Sequence, residues 1–440
     1  MKFKNKRTMK TMLQFRLFAI AIFVVFAVGI TNAQNLERTK TVNKTTKVPG
    51  DVTLQMNNYS GNLNIITTSE NTVSIKTTVE FSGNSAADVD KVIAAVENFT
   101  FKLSGNTLEI DTRFYKSMNT INNHSTMTLE NGDKVKIKDF KISHEMHIPK
   151  SANIKLNNKY SDIETTTIDG NAEFVLYNSK LNADDFSGKL NIDAKYSKIK
   201  LGNVTQDAGL VFYDTDVEIG TCKNLNINSK YSKFDVSKAE GMEIDSYDDN
   251  FKVDAINSLK LTSKYSDFVS QGNLREIKLD LYDCNITVNS AERAFFNGKY
   301  CDLNLGNTGE FKTDDSYDNN IHLANTKKVE VIQSKYCEFD FASVTSLKMA
   351  DIYDDVIKIE KLNSDFSGIS TNGKYGKINI EAGSVPFKVN FKIKYPKVDI
   401  PQSVKISKHI KDNSDLEMVG GESGGTISVE GYDMKVVIND

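Results

Sequence analysis

The chain has 440 residues, 55 basic and 58 acidic side chains, five prolines and no tryptophan. That length supports a large core, which must be built from Ile, Leu, Val, Phe and Tyr. The net charge of −3 falls to about −9 once the basic amino-terminal segment is removed, which argues against nucleic acid and anionic membrane surfaces as partners.

Residues 1–33 read as a secretory signal peptide. Lys2, Lys4, Lys6, Arg7, Lys10 and Arg16 precede an apolar run over residues 17–30, and Thr31-Asn32-Ala33 offers small residues at the cleavage site. The run is shorter than the ~20 residues a membrane-spanning helix needs. Cleavage before Gln34 is expected, with no transmembrane segment left afterwards, since no second apolar run follows. No cysteine lies near the cut, which argues against a lipid anchor. The mature protein is therefore expected in the periplasm, on the cell surface or in the medium.

Residues 34–153 lack the pattern that follows them. Val52, Leu54, Leu63 and Ile65 alternate as strands do, and so do Val73, Ile75 and Val79. Ser85 stands as a helix cap with Asp88 as the acid three residues on. Val89, Val92, Ile93 and Val96 then share one helical face. Residues 99–110 read as a hairpin around Ser104-Gly105-Asn106, and residues 127–137 as another turning at Asn131-Gly132. This small α+β region is expected to cap one end of the structure beyond it.

From about residue 154 to 400 the chain repeats itself. One class of segment reads Lys159-Tyr160-Ser161, Lys195-Tyr196-Ser197, Lys230-Tyr231-Ser232, Lys264-Tyr265-Ser266, Lys299-Tyr300-Cys301, Lys335-Tyr336-Cys337 and Lys374-Tyr375-Gly376, and Lys394-Tyr395-Pro396 closes the array. Alternating with it are Tyr177-Asn178, Tyr213-Asp214, Tyr247-Asp248, Tyr282-Asp283, Tyr317-Asp318 and Tyr353-Asp354. An apolar-x-apolar pair follows each tyrosine. Its first member runs Ile163, Leu181, Ile199, Val217, Phe234, Phe251, Phe268, Ile286, Leu303, Ile321, Phe339, Ile357, Ile378 and Val398. Up to Ile357 these markers are 17 or 18 residues apart, whereas tyrosine spacings swing between 16 and 19. The apolar frame, not the tyrosines, therefore sets the repeat. Aligned on it, each Lys shares a column with the Tyr of the neighbouring repeat, and each Tyr of the first class shares the next column with an Asp.

One repeat is thus predicted to be one rung of an all-β, single-stranded parallel β-helix, a β-solenoid of 17–18-residue rungs stacked about 4.8 Å apart. Fourteen rungs would make a rod of roughly 65 Å. Residues 401–440, with a glycine-rich turn at 420–425, are expected to form a short β cap at the far end. The competing geometry is a 35-residue coil, which stacks Lys on Lys and Asp on Asp at a cost in like-charge repulsion. In the short-rung frame Lys lies beside tyrosine rings, within reach of cation–π contact, and diagonally from Asp, within reach of an ion pair. The residue before the Lys is small from Asn158 to Gly373, while Leu176, Phe212, Leu281 and Ile352 are large at the matching place, so the column should interdigitate.

Several features together resemble the putative-adhesin solenoid family of bacterial exported proteins. They are the signal peptide, the strand pattern around Val52 to Ile65, and His147-Ile148-Pro149-Lys150-Ser151-Ala152 leading into Leu156-Asn157-Asn158-Lys159-Tyr160-Ser161-Asp162-Ile163. The family usually carries Gly where Ser161 stands; here only Gly376 keeps it. The resemblance, spread over roughly residues 45 to 440, implies a β-solenoid in the periplasm or on the cell surface, with adhesion as the suggested role. The family defines no functional residues, so none transfer.

The ladder columns are the one feature with the character of a surface site. A stripe of Tyr213, Asp214, Tyr247, Asp248, Tyr282, Asp283, Tyr317, Asp318, Lys230, Lys264 and Lys299 could grip a glycan or a cell-envelope protein by stacking and hydrogen bonding, or could simply hold rungs in register. Asp248-Asp249 and Asp354-Asp355 are expected to be solvated charges, because calcium needs several converging oxygens and no calcium-type glycine repeat is present. His144 and His147, three apart on a strand, should point to opposite faces and share no metal. Cys301 and Cys337 stand where serine stands elsewhere; two rungs apart, ~9.6 Å, they are too far for a disulfide. The acids recur evenly, and Arg275 and Arg293 are the sole arginines of the array. A non-enzymatic binding or scaffolding rod without cofactor or metal is therefore expected. The alternative is a β-helix enzyme, lyase or hydrolase, acting on polysaccharide.

Overall fold

The computed structural model describes residues 36–440 apart from 60, 84, 122, 123 and 413. The predicted signal peptide at 1–33 lies outside the described residues.

Marker residues stack one above another through the body of the molecule. In parallel register Ile163 pairs with Leu181, Leu181 with Ile199, Ile199 with Val217, Val217 with Phe234 and Phe234 with Phe251. The series continues unbroken from Phe251 through Phe268, Ile286, Leu303, Ile321, Phe339 and Ile357 to Ile378. The fold is a β-solenoid whose turn is the 17–18-residue rung, and the 35-residue coil is excluded by this register. Strand residues alternate inward and outward, as the period of two requires. The inward row of every rung joins one continuous apolar core, in which Phe234 and Phe251 stack with ring centroids 4.6 Å apart. Interdigitation is tight where a small residue meets a large one. A Cβ on Gly373 would sit 2.4 Å from Ile352 Cγ1, so the bulk of Ile352 occupies the space this glycine leaves.

The stack begins upstream of the repeats. The strands Thr53–Asn58 and Asn62–Thr68 form a rung beneath the first repeat, pairing Leu54 with Ile154 and Leu63 with Ile163. Below it, the hairpin Thr100–Ser104 and Thr107–Asp111 covers one side. The antiparallel strands Leu36–Lys47, Thr72–Gly83 and Asp139–Pro149 extend the other. The helix Ala86–Glu97 starts at Ser85, whose hydroxyl accepts from Asp88 N, and buries Val89, Val92 and Val96 in a second, smaller core. Asp88 does not reach back to Ser85 as a capping box would; its Oδ2 accepts from Lys136 N and ties the helix to the hairpin beyond.

At the carboxyl end the order of rungs departs from the order of the chain. Residues 425–439 do not lie outside the last repeat. They run between Ile378 and Val398, with Ile378 paired to Val436 and Val436 paired to Val398. The strand Phe387–Lys394 thus packs on this late rung, and the antiparallel strands Asp415–Gly420 and Ile406–Asp412 finish the end. No helix among the described residues is long and apolar enough to cross a membrane.

Candidate binding face

Each rung turns one corner at a residue with positive φ. The residue is Tyr in the Lys-Tyr rungs and Asp or Asn in the others, from Tyr160 at 58° and Asn178 at 48° to Tyr395 at 56° and Asp433 at 50°. Asn and Asp tolerate this left-handed conformation, while tyrosine occupies it at a cost. The corner breaks strand alternation, so two successive residues, Lys264 and Tyr265 for example, both face outward before Ser266 turns in. The corner N–H donates to the carbonyl one rung on, as in Tyr231 to Tyr247 at 3.1 Å and Asp248 to Lys264 at 2.9 Å.

The inward residue after the corner locks the turn. Ser232 Oγ donates to Lys230 O and accepts from Thr215 N of the rung before, and Ser266 does the same with Lys264 O and Asp249 N. Asn319, Asp249 and Asp355 take this position in other rungs, accepting from the backbone N–H of Cys301, Ser232 and Cys337 at 2.8, 2.6 and 2.7 Å. The expectation that Asp249 and Asp355 are solvated is therefore wrong. They are 4% and 0% exposed, and burial pushes both carboxyls up to about 6. Only the first Asp of each doublet, at the corner, faces water. Cys284, Cys301 and Cys337 fill the same inward position, buried and unbridged as serine substitutes.

Because tyrosine alternates between the strand end and the corner, every rung from Tyr160 onward contributes one ring to a single ladder. Fifteen rings, from Tyr160 to Tyr353 in order and then Tyr375, Tyr432 and Tyr395, meet edge to face at 5.3–5.8 Å and 74–88°. Tyr432 and Asp433 come from the inserted late rung, so the alternation of Lys-Tyr and Tyr-Asp continues in space where the chain itself places two Lys-Tyr segments in succession. The corner rings are 40–63% exposed.

Five of the predicted residues, Lys230, Tyr247, Lys264, Tyr282 and Lys299, line one open groove of about 740 Å³. Tyr213 and Tyr317 extend their row by strand pairing with Lys230 and Lys299. Asp214, Asp248, Asp283 and Asp318 stand on the adjoining corner and do not line the groove. Its acids are instead Asp245, Asp280 and Asp315, two residues before the tyrosine, with Asn228, Thr262 and Asn297 at that place in the Lys rungs. The signal was present in the sequence as Asp-x-Tyr-Asp, which recurs at Asp245 to Asp248, Asp280 to Asp283, Asp315 to Asp318 and Asp351 to Asp354.

The expected ion pairs between ladder Lys and corner Asp do not form. Lys230 lies over the Tyr247 ring at 6.0 Å, and Lys335 over Tyr336 and Tyr353 at 4.8 Å each. Among the described residues no carboxylate is in ion-pair range of Lys195, Lys230, Lys264 or Lys299, because the corner carries each Asp off the row the lysines occupy. Elsewhere on the rod some outward charges pair between neighbouring rungs, as in Lys200–Glu218 at 2.9 Å, Lys260–Glu243 at 2.7 Å and Lys328–Glu310 at 2.6 Å, while Lys180 stacks on Lys198. His144 is buried against Thr77 and His147 faces outward beside Glu145. Among the described residues no three His, Cys, Asp or Glu side chains gather as metal ligands would.

No family model matches the chain, and the comparison with curated proteins finds no match. Among solved structures similar to it is one described as a putative cell adhesion protein from Clostridium sporogenes, 12% identical, covering 92% of this chain and 99% of that one, with a TM-score of 0.16. Another is described as a putative adhesin from Bacteroides fragilis, 14% identical, covering 67% of this chain and 97% of that one, with a TM-score of 0.24.

Proposed function

We propose that the protein is an exported, adhesin-like binding rod without enzymatic activity, which holds an extended glycan or cell-envelope partner along its tyrosine ladder. The observation that carries this reading is the continuous row of part-exposed tyrosine rings bordered by charged side chains without ionic partners. Among the described residues Lys195, Lys230, Lys264 and Lys299 and the groove acids Asp245, Asp280 and Asp315 have no ion-pair partner, so they remain free to bond a ligand beside the rings. Two-thirds or less of each corner ring is exposed, enough for a sugar ring or an aliphatic chain to pack on it. The acids of the groove recur evenly, one to each Tyr-Asp rung, which favours binding over catalysis. The reading rests on this face and not on the two structural likenesses.

A glycan array probed with the purified protein, followed by turnover assays on the hits, tests the proposal. Saturable binding is expected, reduced about tenfold or more by Tyr247→Ala together with Tyr282→Ala, aromatic anchors of the kind that dominate binding energies. Turnover of a hit, or binding indifferent to both substitutions, would contradict it.

A further inference from the structure

Resting on that reading of the face, we infer that its ligand is a linear glycan bearing amino groups, laid parallel to the rod axis with one disaccharide over each pair of rungs. The chemistry of the face repeats every second rung, a step of ~9.6 Å. An extended β-1,4-linked hexose chain flips its rings from one sugar to the next, so it too repeats after two units, over a comparable length. Ligand and rod can therefore stay in register over many rungs, each tyrosine offering its ring to the apolar face of a sugar.

The charges select the kind of glycan. Counting only the ladder columns, each Tyr-Asp rung of the central rod brings two outward carboxylates, one in the groove and one on the corner, and the intervening Lys rung returns one ammonium. Asp245, Asp280 and Asp315 alternate along the groove with the neutral Asn228, Thr262 and Asn297. Within the groove these acids balance Lys230, Lys264 and Lys299, so the surplus of one negative charge for every two rungs comes from Asp248, Asp283 and Asp318 on the adjoining corner. One protonated amine per disaccharide neutralises it, whereas a uronic acid polymer would add to it. The tyrosine row and the charge row carry the same two-rung period, so a single polymer satisfies both.

Calorimetry of the purified protein with β-1,4-linked glucosamine oligomers of two to eight sugars, at a pH where their amines are protonated, tests the inference. The fully N-acetylated oligomers and an oligolysine of matched charge serve as the other arms. Affinity is expected to rise about tenfold from tetramer to octamer, as successive sites act together. The N-acetylated series and oligolysine should bind at least roughly tenfold more weakly. The triple substitution Asp245→Asn, Asp280→Asn, Asp315→Asn should weaken the octamer about tenfold or more; the same column natively holds Asn228 and Asn297, so folding should survive. No binding of the amino oligomers, equal binding of the N-acetylated ones, affinity flat beyond the disaccharide, or equal binding of oligolysine would each overturn it. In any of these cases, a different array hit lost on Tyr247→Ala would leave the binding-face reading standing.

Discussion

Eight tyrosines hold the left-handed corner conformation, a position where Asn or Asp rests more easily. The backbone cost is about 1–2 kcal/mol each, and two edge-to-face ring contacts at ~0.5–1.5 kcal/mol apiece offset it. Stability alone therefore gives little reason to keep tyrosine there, which is consistent with the ladder serving a surface role. Tyr265→Asn, matching native Asn178, should change unfolding free energy by no more than about 1 kcal/mol in urea titrations while interrupting the ladder. Tyr265→Val should lose roughly 2–3 kcal/mol, since a β-branched residue suits that corner poorly. The inward acids give a pH prediction. Burial lifts Asp249 and Asp355 to about 6 against an ordinary 3.8, so the folded form holds their protons more tightly than the unfolded chain does. Their contribution is fully favourable below about 3.8 and is lost as pH rises through about 6. Asp249→Asn and Asp355→Asn should each stabilise the protein at pH 7.5 by roughly 1–3 kcal/mol and flatten the stability profile between pH 4 and 6. Asn319 already fills the same position, donating to Gly298 O and Ser316 Oγ. An acid doublet read by itself suggests two solvated charges; only alignment with Ser232 and Ser266 shows that its second member turns inward. The positive φ is equally hidden, because tyrosine is not a residue from which a left-handed corner is read.

Single elements were legible where the pattern is local. The Ser85 cap, the helical valine face and both hairpins depend on neighbours within a few residues, and they stand where the sequence places them. The late rung was not, because a search for periods expects rungs to follow one another along the chain. Its trace was the pair of successive Lys-Tyr segments at Lys374 and Lys394 with no Tyr-Asp between them, together with Tyr432-Asp433 standing four and three residues before Val436. Since this rung lies inside the stack, deleting residues 425–440 should expose the inner edges of both neighbours. Hydrogen exchange should then show protection lost in 368–381 and 387–399 alike, whereas a peripheral cap would leave 368–381 protected. The cysteines probe the same register. With Cys301 and Cys337 two rungs apart, peptide mapping after alkylation without reductant should find no bridge between them.

The rung period, its continuous core and the alternation of tyrosine columns were all readable across the whole molecule, since stacking forces equivalent residues into columns that spacing alone reveals. What the charges do at the face was not, because pairing depends on where the corner sends each side chain. Alternation also makes rung number matter. Excising one rung between Lys264 and Tyr317 should put like classes in contact, lowering stability and breaking the ladder, whereas excising two adjacent rungs should preserve both. The account depends most on the length each repeat adds to the rod. Pulsed electron–electron spin resonance between labels at Lys195→Cys and Lys335→Cys, in a variant with the four native cysteines replaced by serine, measures that length directly. Eight single rungs predict a separation near ~38 Å. A distance near ~19 Å, as four double-length coils would give, would contradict the account.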